Sequence, residues 1–200
     1  MTPRQKKDVR PAIELHDPQS IKALTHPARL AVLDELFAGR ELTATECAEI
    51  VGLSPSAMSY HLRALEKVGI VERADASGDG RQRPWRAAGS KLTVTTDQSL
   101  VAFAAGAVVG KTVADRLNQG FARWMERTPT EDPAWRDVGG ISSALVWLTH
   151  EDAEHVEKII TDLIDEYRGR SATDHPDGAR RVRIGLLLYP NDEAQPARDA

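Results

Sequence analysis

The chain has 200 residues, 41% hydrophobic and 28% charged, which is enough for two small domains with cores and excludes wholesale disorder. Its single cysteine, Cys47, excludes an internal disulfide framework. No apolar stretch follows the basic N-terminus, so no secretion signal is predicted. The longest apolar run, residues 100–110, is well short of the roughly 20 residues that span a bilayer. The sequence predicts a soluble cytoplasmic protein without membrane contact.

The net charge of −4 is unevenly distributed along the chain. Residues 1–90 carry 13 Lys and Arg against 12 Asp and Glu, whereas residues 91–200 carry 13 against 18. The acidity therefore belongs to the second half, where it need not face a phosphate backbone. The first half, with a balance of +1, permits nucleic-acid binding without arguing strongly for it.

Four short helices are predicted before residue 70. Asp-Pro, His-Pro and Ser-Pro dipeptides each place a capping residue before a proline, which is favoured at the first helical position. Glycines supply the stops. The predicted helices cover residues 17–24, 26–38, 44–51 and 54–68.

Two short strands are predicted after the fourth helix. Residues 70–74 form the first, "SGDG" forms the turn, and "QRPWRAA" returns as the second. Pro84 lacks an N–H donor, so the second strand must lie at an edge or in a simple ribbon. Trp85 is predicted to anchor this hairpin in the core.

The fourth helix is predicted to have two different sides. At about 100° per residue, its polar groups share one side, and the opposite side carries Met58, Leu62, Leu65 and Val68. Hydroxyl, phenol, guanidinium and ammonium groups suit the phosphates and base edges of a major groove. The short link at 52–54 sets the third helix across the fourth, which is a helix-turn-helix arrangement. An ordinary amphipathic surface helix is the alternative.

The candidate DNA-binding residues come from this helix and from the hairpin, whose glycine-rich tip could swing cations toward a groove. They are Ser54, Ser56, Ser59, Tyr60, His61, Arg63, Lys67, Arg81 and Arg83. Arg86 lies just beyond this set and is a further cation of the hairpin. Helices and hairpin together predict a winged helix-turn-helix.

"LTHPARLAVLDEL" followed by "ECAEIVGLSPSAMSYHLRALEKVGIVER" resembles the ArsR-like winged-helix transcriptional regulators. The resemblance implies that Ser56, Ser59, Tyr60 and Arg63 lie in the DNA-contacting helix. It leaves His61 with a helix-packing or a phosphate-contacting role. Members of this family generally bind pseudo-palindromic operators as homodimers, commonly as repressors released by a signal.

Metal-sensing members of the family carry paired cysteines near the start of the third helix. The corresponding stretch here, "TATECAEI", has threonines in those places. Cys47 is therefore predicted to be a small buried hydrophobe, since one thiolate without a partner makes a poor tetrahedral site.

The second half is predicted to be mixed α and β. A long helix runs from about 96 to 127, apolar nearly all round at its start and so expected to be buried on more than one side. The loop "RTPTEDPAW", a buried strand "SSALVWL", a helix from Thr149 to Arg168 and a strand "RRVRIGLLLY" follow. Thr149 and Asp152 resemble a capping box.

A metal site in "HEDAEH" is not favoured. His150 and His155 are five apart, about 140° from each other on a helix, which fails the spacing of a helical metalloprotease motif. His150 with Glu154, or Glu151 with His155, could each supply two ligands. The favoured interpretation is a solvated, charged first turn, and no cofactor is predicted.

Several other residue sets leave alternatives open. Four aromatic residues could line an effector pocket, although core packing is favoured: Trp124, Trp135, Trp147 and Tyr167. The basic start could be a DNA-touching arm or a soluble tail: Arg4, Lys6, Lys7 and Arg10. No nucleophile–base set or phosphate loop is recognisable, so the chain is not predicted to be an enzyme.

The predicted fold class is α+β and mostly helical: an N-terminal winged helix-turn-helix, a helical dimerisation segment and a small α/β C-terminal region. The expected divisions are a flexible basic arm (1–16), the winged helix-turn-helix (17–90), a dimerisation and effector region (91–190) and a disordered tail (191–200). The chain is predicted to be a homodimeric transcriptional regulator that binds double-stranded DNA and acts as a repressor. The alternative is a winged-helix protein whose C-terminal half binds a small molecule or another protein.

Overall fold

The computed structural model describes residues 10–75, 83–95, 99–168, 170 and 174–191. In chain order the elements are β1 (Ala12–Leu15), α1 (Pro18–Ala23), α2 (Pro27–Phe37), α3 (Ala44–Val51), α4 (Pro55–Lys67), β2 (Val71–Arg73), β3 (Trp85–Ala87), β4 (Lys91–Val94), α5 (Leu100–Arg127), α6 (Pro133–Arg136) and α7 (His150–Asp165). A 3-10 turn, Thr128–Thr130, lies between α5 and α6.

The predicted helix start signals of the first half are confirmed. The Asp17 carboxylate accepts the Ser20 N–H at 2.9 Å, and the Ser54 hydroxyl oxygen accepts the Ala57 N–H at 3.2 Å. Each cap is followed by a proline at the start of its helix. Because these caps satisfy N–H groups that the helix itself leaves unpaired, they fix where α1 and α4 begin.

One apolar core holds the first half together. The core is formed by the inner sides of helices α1, α2, α3 and α4 together with strands β1, β2 and β3. Helix α5 adds only Ala102 and Val109 as buried side chains. Its largest fully buried side chains are Trp85, Ile21, Leu24, Leu36, Met58, Leu62, Leu65, Ile70, Val32 and Val71. The predicted burial of Trp85 is therefore confirmed.

The segment before α1 differs from the expected flexible arm. Residues 12–15 form β1, which pairs in parallel with β4 in the register Ala12 to Lys91 and Leu15 to Val94. Leu15 is buried, so the strand contributes to the core. Because β4 is the partner of β1, the winged-helix unit continues past the expected boundary at residue 90.

The wing is the antiparallel pair β2–β3, with Val71 opposite Ala87. Trp85 also exchanges two backbone hydrogen bonds with Leu42, at 2.7 and 2.9 Å, which ties the wing to the segment before α3. The Pro84 carbonyl accepts the Ala74 N–H at 2.9 Å. The predicted ribbon is confirmed, with Pro84 outside the strand proper.

α5 packs against α1 on one side only. The expected burial on more than one side is wrong: in the described residues, Ala102 and Val109 are the buried residues of this helix, and they lie on the same side. Its exposed apolar residues are Leu100, Val101, Phe103 and Val108. No helix in the described part of the chain has the length and apolar composition needed to cross a bilayer.

The two C-terminal strands predicted from the sequence are absent from the described part of the chain. Residues 142–148 and 180–189 carry no strand, because no neighbouring described segment offers them backbone hydrogen bonds. The predicted helix is present as α7, and its capping box is confirmed by Thr149 Oγ1 accepting the Asp152 N–H at 3.1 Å. The predicted loop before residue 136 contains α6 and the 3-10 turn.

The favoured core role of the C-terminal aromatic residues is also wrong for the single chain. None of the four is buried: Trp124, Trp135, Trp147 and Tyr167. Trp147 is 86% exposed. The Arg180 guanidinium lies over the Trp135 ring at 4.9 Å, which is a surface cation–π contact. The contacts that the chain supplies are partial: Trp124 lies 5.6 Å from the Phe121 ring, and both Trp124 and Trp135 are half-buried.

Candidate nucleic-acid interface

Local sequence builds the α3–α4 pair. Thr43 and Glu46 cap α3 reciprocally, with the Glu46 carboxylate accepting the Thr43 N–H at 2.7 Å. Gly52 ends α3 at φ 69°, a left-handed conformation that favours glycine. The Leu53 N–H then donates to the Ala48 carbonyl at 3.0 Å. The chain turns within a few residues and sets α4 across α3.

α4 presents a polar side to solvent. Tyr60 is 67% exposed and Ser59 is half-buried. We call the following set the outer face of α4: Ser56, Ser59, Tyr60, Arg63 and Lys67. The opposite side is buried through Met58, Leu62 and Leu65. The two-sided helix predicted from the sequence is present.

The cations of the outer face are available to a ligand. Within the described residues, Arg63 and Lys67 make no side-chain hydrogen bond or ion pair. Ser54, at the start of α4, uses its oxygen to accept the Ala57 N–H and keeps its hydroxyl hydrogen for an external acceptor. The first turn of α4 also directs backbone N–H groups outward, where they favour an anion.

His61 lies behind the outer face and links helices. The Arg29 Nε–H donates to His61 Nδ1 at 3.2 Å, and the His26 and His61 ring centroids are 4.3 Å apart. Arg29 Nη1 also donates to the Ala23 carbonyl at 2.9 Å. Burial lowers the pKa of His61, and the positive charges of His26 and Arg29 lower it further. The neutral ring is thus favoured, and of the two roles left open above, these contacts support helix packing.

The described arginines of the wing, Arg83 and Arg86, differ in their surroundings. Arg83 is exposed, whereas Arg81 lies outside the described residues. The Arg86 Nε–H donates to the Glu72 carboxylate at 2.8 Å, and this bond raises the pKa of the guanidinium. Arg86 is therefore engaged within the wing. Arg83 is the described wing residue that can approach a phosphate.

The N-terminal basic residues are only partly visible. Arg10 Nη1 donates to the Ala87 carbonyl at 2.7 Å, so this guanidinium is fixed to the wing strand β3. Arg4, Lys6 and Lys7 lie outside the described residues. The choice between a DNA-touching arm and a soluble tail therefore stays open for those three.

The residues considered as metal ligands do not form a metal site in the described part of the chain. Cys47 is buried, and burial raises the pKa of its thiol to about 11, which disfavours the thiolate that binds metals. His150 Nδ1 lies 3.6 Å from the Glu154 carboxylate on an exposed turn. In the residues that the structure describes, no group of three or more His, Cys, Asp and Glu side chains could hold a metal ion. Glu151 and His155 belong to no such group.

The two halves of the chain contact each other through ion pairs that were not predicted from the sequence. Arg181 pairs with Glu35 through two hydrogen bonds of 2.8 and 3.0 Å, and Arg183 donates to Asp34 at 2.7 Å. Burial raises the pKa of Glu35, but hydrogen bonds from Arg181 and Arg40 outweigh it, so the net shift is downward. Two sequence features could have indicated this contact: the adjacent acidic residues Asp34 and Glu35 of α2, and the alternate arginines Arg181 and Arg183.

A comparison with protein families places a helix-turn-helix domain in this region. Residues 24–74 match the family model described as a helix-turn-helix domain. The match includes α2 to α4 and the first wing strand, and therefore the whole outer face of α4. No curated protein sequence matches the chain.

Solved structures provide further similarities. The homodimeric winged helix-turn-helix DNA-binding domain of a possible ArsR-family regulator from Mycobacterium bovis is 29% identical; the match covers 48% of this chain and 76% of that one, with a TM-score of 0.33. Lactococcus lactis ZitR is 18% identical over 72% of this chain and 83% of its own, with a TM-score of 0.31. MarR from E. coli is 15% identical; the match covers 73% of this chain and 89% of MarR, with a TM-score of 0.31. None of these similarities defines what this chain binds.

Proposed function

We propose that this protein, whose residues 24–74 form a helix-turn-helix domain, is a sequence-specific DNA-binding transcriptional regulator of the cytoplasm. It acts as a homodimer on a pseudo-palindromic operator and represses transcription. The observation that carries the proposal is the outer face of α4, which offers hydroxyl, phenol and cationic groups to solvent beside a buried apolar side.

Each group of the outer face has a role that its chemistry supports. The Arg63 guanidinium can donate two parallel hydrogen bonds to a guanine edge, which is the commonest base-specific contact. Ser56, Ser59 and Tyr60 suit phosphate oxygens and base edges near the start of the helix. Lys67, at the far end of α4, suits a phosphate.

The homodimer is supported by the uncovered side of α5. Leu100 and Phe103 are exposed near the start of this helix, although such side chains favour burial. A second copy that packs there would bring a second α4 helix into the same assembly. Phe103→Asp, or Leu100→Asp, should give monomers in light scattering. An unchanged dimer would remove α5 from the interface.

The function is tested by selecting fragments of genomic DNA on the purified protein and measuring affinity for the selected site. Arg63→Ala should weaken binding by about 1–3 kcal/mol and relax the preference at one base position. Arg123→Ala, which removes an exposed arginine from α5, is the matched control and should bind as the wild type does. Binding to selected and random DNA with equal affinity, before and after the Arg63 change, would contradict sequence-specific recognition.

Salt dependence separates the proposal from its main rival, a winged-helix module that binds another protein. Neutralising several phosphates makes affinity fall steeply as salt rises. We expect such a slope for the wild type and a shallower one for Lys67→Ala, by about one unit. Failure to select any DNA would favour the protein-interaction module.

A further inference from the structure

Helix α2 carries two adjacent carboxylates that join it to distant parts of the chain. Each of them accepts hydrogen bonds from two arginines, which come from the residues just after α2, from the middle of α5 and from the segment 181–185. Because the contacts connect separate elements, they can fix how these elements lie relative to one another. We call the following set the α2 ion-pair cluster: Asp34, Glu35, Arg40, Arg116, Arg181 and Arg183.

Glu35 is held more firmly than an ordinary surface carboxylate. Arg181 donates to both of its oxygens, at 2.8 and 3.0 Å, and Arg40 Nη1 adds a third hydrogen bond at 2.8 Å. The Glu35 side chain is only 17% exposed, so water competes weakly for these bonds. An isolated ion pair on a surface contributes little, but a bidentate contact within a network of several charges is stronger. Glu35 is therefore a real point of attachment for the C-terminal half.

Asp34 connects α2 to α5 at a second point along α5. Nearer its start, α5 buries Ala102 and Val109 in the core of the first half. Further along, the Arg116 guanidinium donates to the Asp34 carboxylate. Val109 and Arg116 are seven residues apart, which is about 10 Å along a helix. Two attachment points separated along the axis fix the direction of α5 relative to α2, whereas the apolar contact alone would let the helix pivot.

Residues 181–185 contact both helices and reinforce this arrangement. Arg181 and Arg183 bind the two carboxylates of α2, the second at 2.7 Å. Two residues further on, Gly185 lies close to α5, since a Cβ there would be 2.7 Å from the Leu117 side chain. The segment thus touches α2 and α5 within five residues and acts as a brace between them.

We propose that Asp34 and Glu35 are positioning residues for operator binding: by holding α5 and residues 181–185 against α2, they set the angle between the winged-helix half and α5. The inference rests on the proposed function and on a homodimer that uses α5. In such a dimer, the angle between α5 and α2 decides how far apart the two outer faces of α4 lie. A dimer reads two half-sites whose spacing matches that distance. Neither carboxylate belongs to the outer face of α4, so both act through geometry.

Limited digestion of the full-length protein with trypsin tests whether the α2 ion-pair cluster is closed in solution. Trypsin cleaves after arginine and requires an arginine side chain that is free to enter its own pocket. Asp34→Asn/Glu35→Gln keeps the size of both side chains and removes their charges. Cleavage after Arg181 and Arg183 should therefore become faster, by about threefold or more, because proteolysis follows the population of the open form.

A matched control makes the same change in charge elsewhere. Asp115→Asn/Asp162→Asn removes two exposed carboxylates that pair with lysines of their own helices, α5 and α7. This variant should be cleaved after Arg181 and Arg183 at the wild-type rate. Equal cleavage rates for the wild type and for Asp34→Asn/Glu35→Gln would overturn the inference, because the cluster would not be holding the segment.

Operators of altered spacing test the positioning role itself. The selected site is compared with versions that are lengthened or shortened between their two halves. In Asp34→Asn/Glu35→Gln, the preference for the selected spacing should fall by about threefold to tenfold, while the affinity for an isolated half-site stays in line with the control variant. The control should keep the wild-type preference. Because the preference is a ratio of affinities, the loss of two negative charges cancels.

The outcomes separate this inference from the proposed function. Faster cleavage with an unchanged spacing preference would overturn the positioning role and leave the proposed regulator intact. An affinity loss that is equal at every spacing, together with a lower melting temperature, would mean that the cluster only stabilises the fold, which also overturns the inference. If the wild type selects no DNA, the proposed function fails and this inference fails with it.

Discussion

Each half of the molecule contains an amphipathic helix, but the two helices differ in how far their apolar sides are buried. α4 and α7 are both amphipathic, and both begin with a capping residue that accepts a backbone N–H. The apolar side of α4 is fully buried through Met58, Leu62 and Leu65, whereas α7 has no buried residue. An amphipathic pattern therefore identifies the side that favours burial, but it does not say which chain supplies the cover.

The tryptophans repeat this contrast. Trp85 is 1% exposed and exchanges backbone hydrogen bonds with Leu42, while Trp147 is 86% exposed in a segment without such bonds. The winged-helix half is complete in one protomer. The C-terminal half contacts the first half through ion pairs, such as Arg181 with Glu35, and leaves apolar side chains such as Trp147 exposed.

The largest effect should come from the core of the winged-helix half. Leu62→Ala should lower the free energy of unfolding by about 2–5 kcal/mol, because it leaves a cavity among fully buried side chains. Leu163→Ala on α7 is the matched control and, in dilute protein, should cost less than about 0.5 kcal/mol because Leu163 is exposed. Chemical denaturation measures both. Equal losses would mean that the two halves do not differ in burial.

A second substitution tests whether β1 belongs to the winged-helix half. A Cβ at Gly89 would lie 2.4 Å from the Pro11 carbonyl oxygen, so Gly89→Ala must displace β1 from β4. We expect a loss of about 1–3 kcal/mol and faster amide exchange in residues 12–15. Gly110→Ala, in open space on α5, should be neutral or slightly stabilising. An unchanged melting temperature for Gly89→Ala would argue that β1 is not held at this position.

Cap removal should affect the two halves differently. Thr149→Ala should cost about 0.5–2 kcal/mol of helix stability and let the first turns of α7 exchange rapidly, since no residue of that helix is fully buried. Ser54→Ala removes the corresponding cap from α4, but α4 should stay helical because its inner side is buried. Exchange rates of the amides in the first two turns of each helix provide the comparison. Equal fraying of both helices would be the contrary result.

The smallest effect concerns pH. The pKa of His61 is lowered in the folded protein, so the unfolded chain binds the proton more readily and stability falls as pH drops through the ordinary range for histidine, near 6.5. His61→Gln should therefore lose less stability than the wild type between pH 7.5 and pH 5.5. His150→Gln, on an exposed turn, should behave like the wild type. Denaturation at the two pH values gives the answer, and identical losses in all three proteins would contradict the packing role of His61.

Local signals made the first half predictable. Asp17, Ser54 and Gly52 end or begin helices by satisfying backbone groups or by adopting a left-handed conformation, and neither effect depends on distant residues. The outer face of α4 follows from helical periodicity alone. The burial of Trp85 follows from its size and its place beside a short turn.

Contacts between distant segments were not predictable in the same way. β1 is short and lacks strong strand signals, and its partner β4 lies far along the chain, so only the folded core brings them together. Arg86 was taken for a free cation because the sequence does not show that Glu72 lies opposite it. The C-terminal strands were predicted from alternation, which does not show whether another segment pairs with them, and in the described residues none does.

NMR titration of the full-length protein with its selected DNA tests the central claim most directly. The account predicts that the Tyr60 ring and the backbone amides of residues 54–63 show the largest shift changes, and that residues 141–189 change little. Largest changes elsewhere, with α4 and the Tyr60 ring undisturbed by bound DNA, would contradict the claim that the outer face of α4 reads the operator.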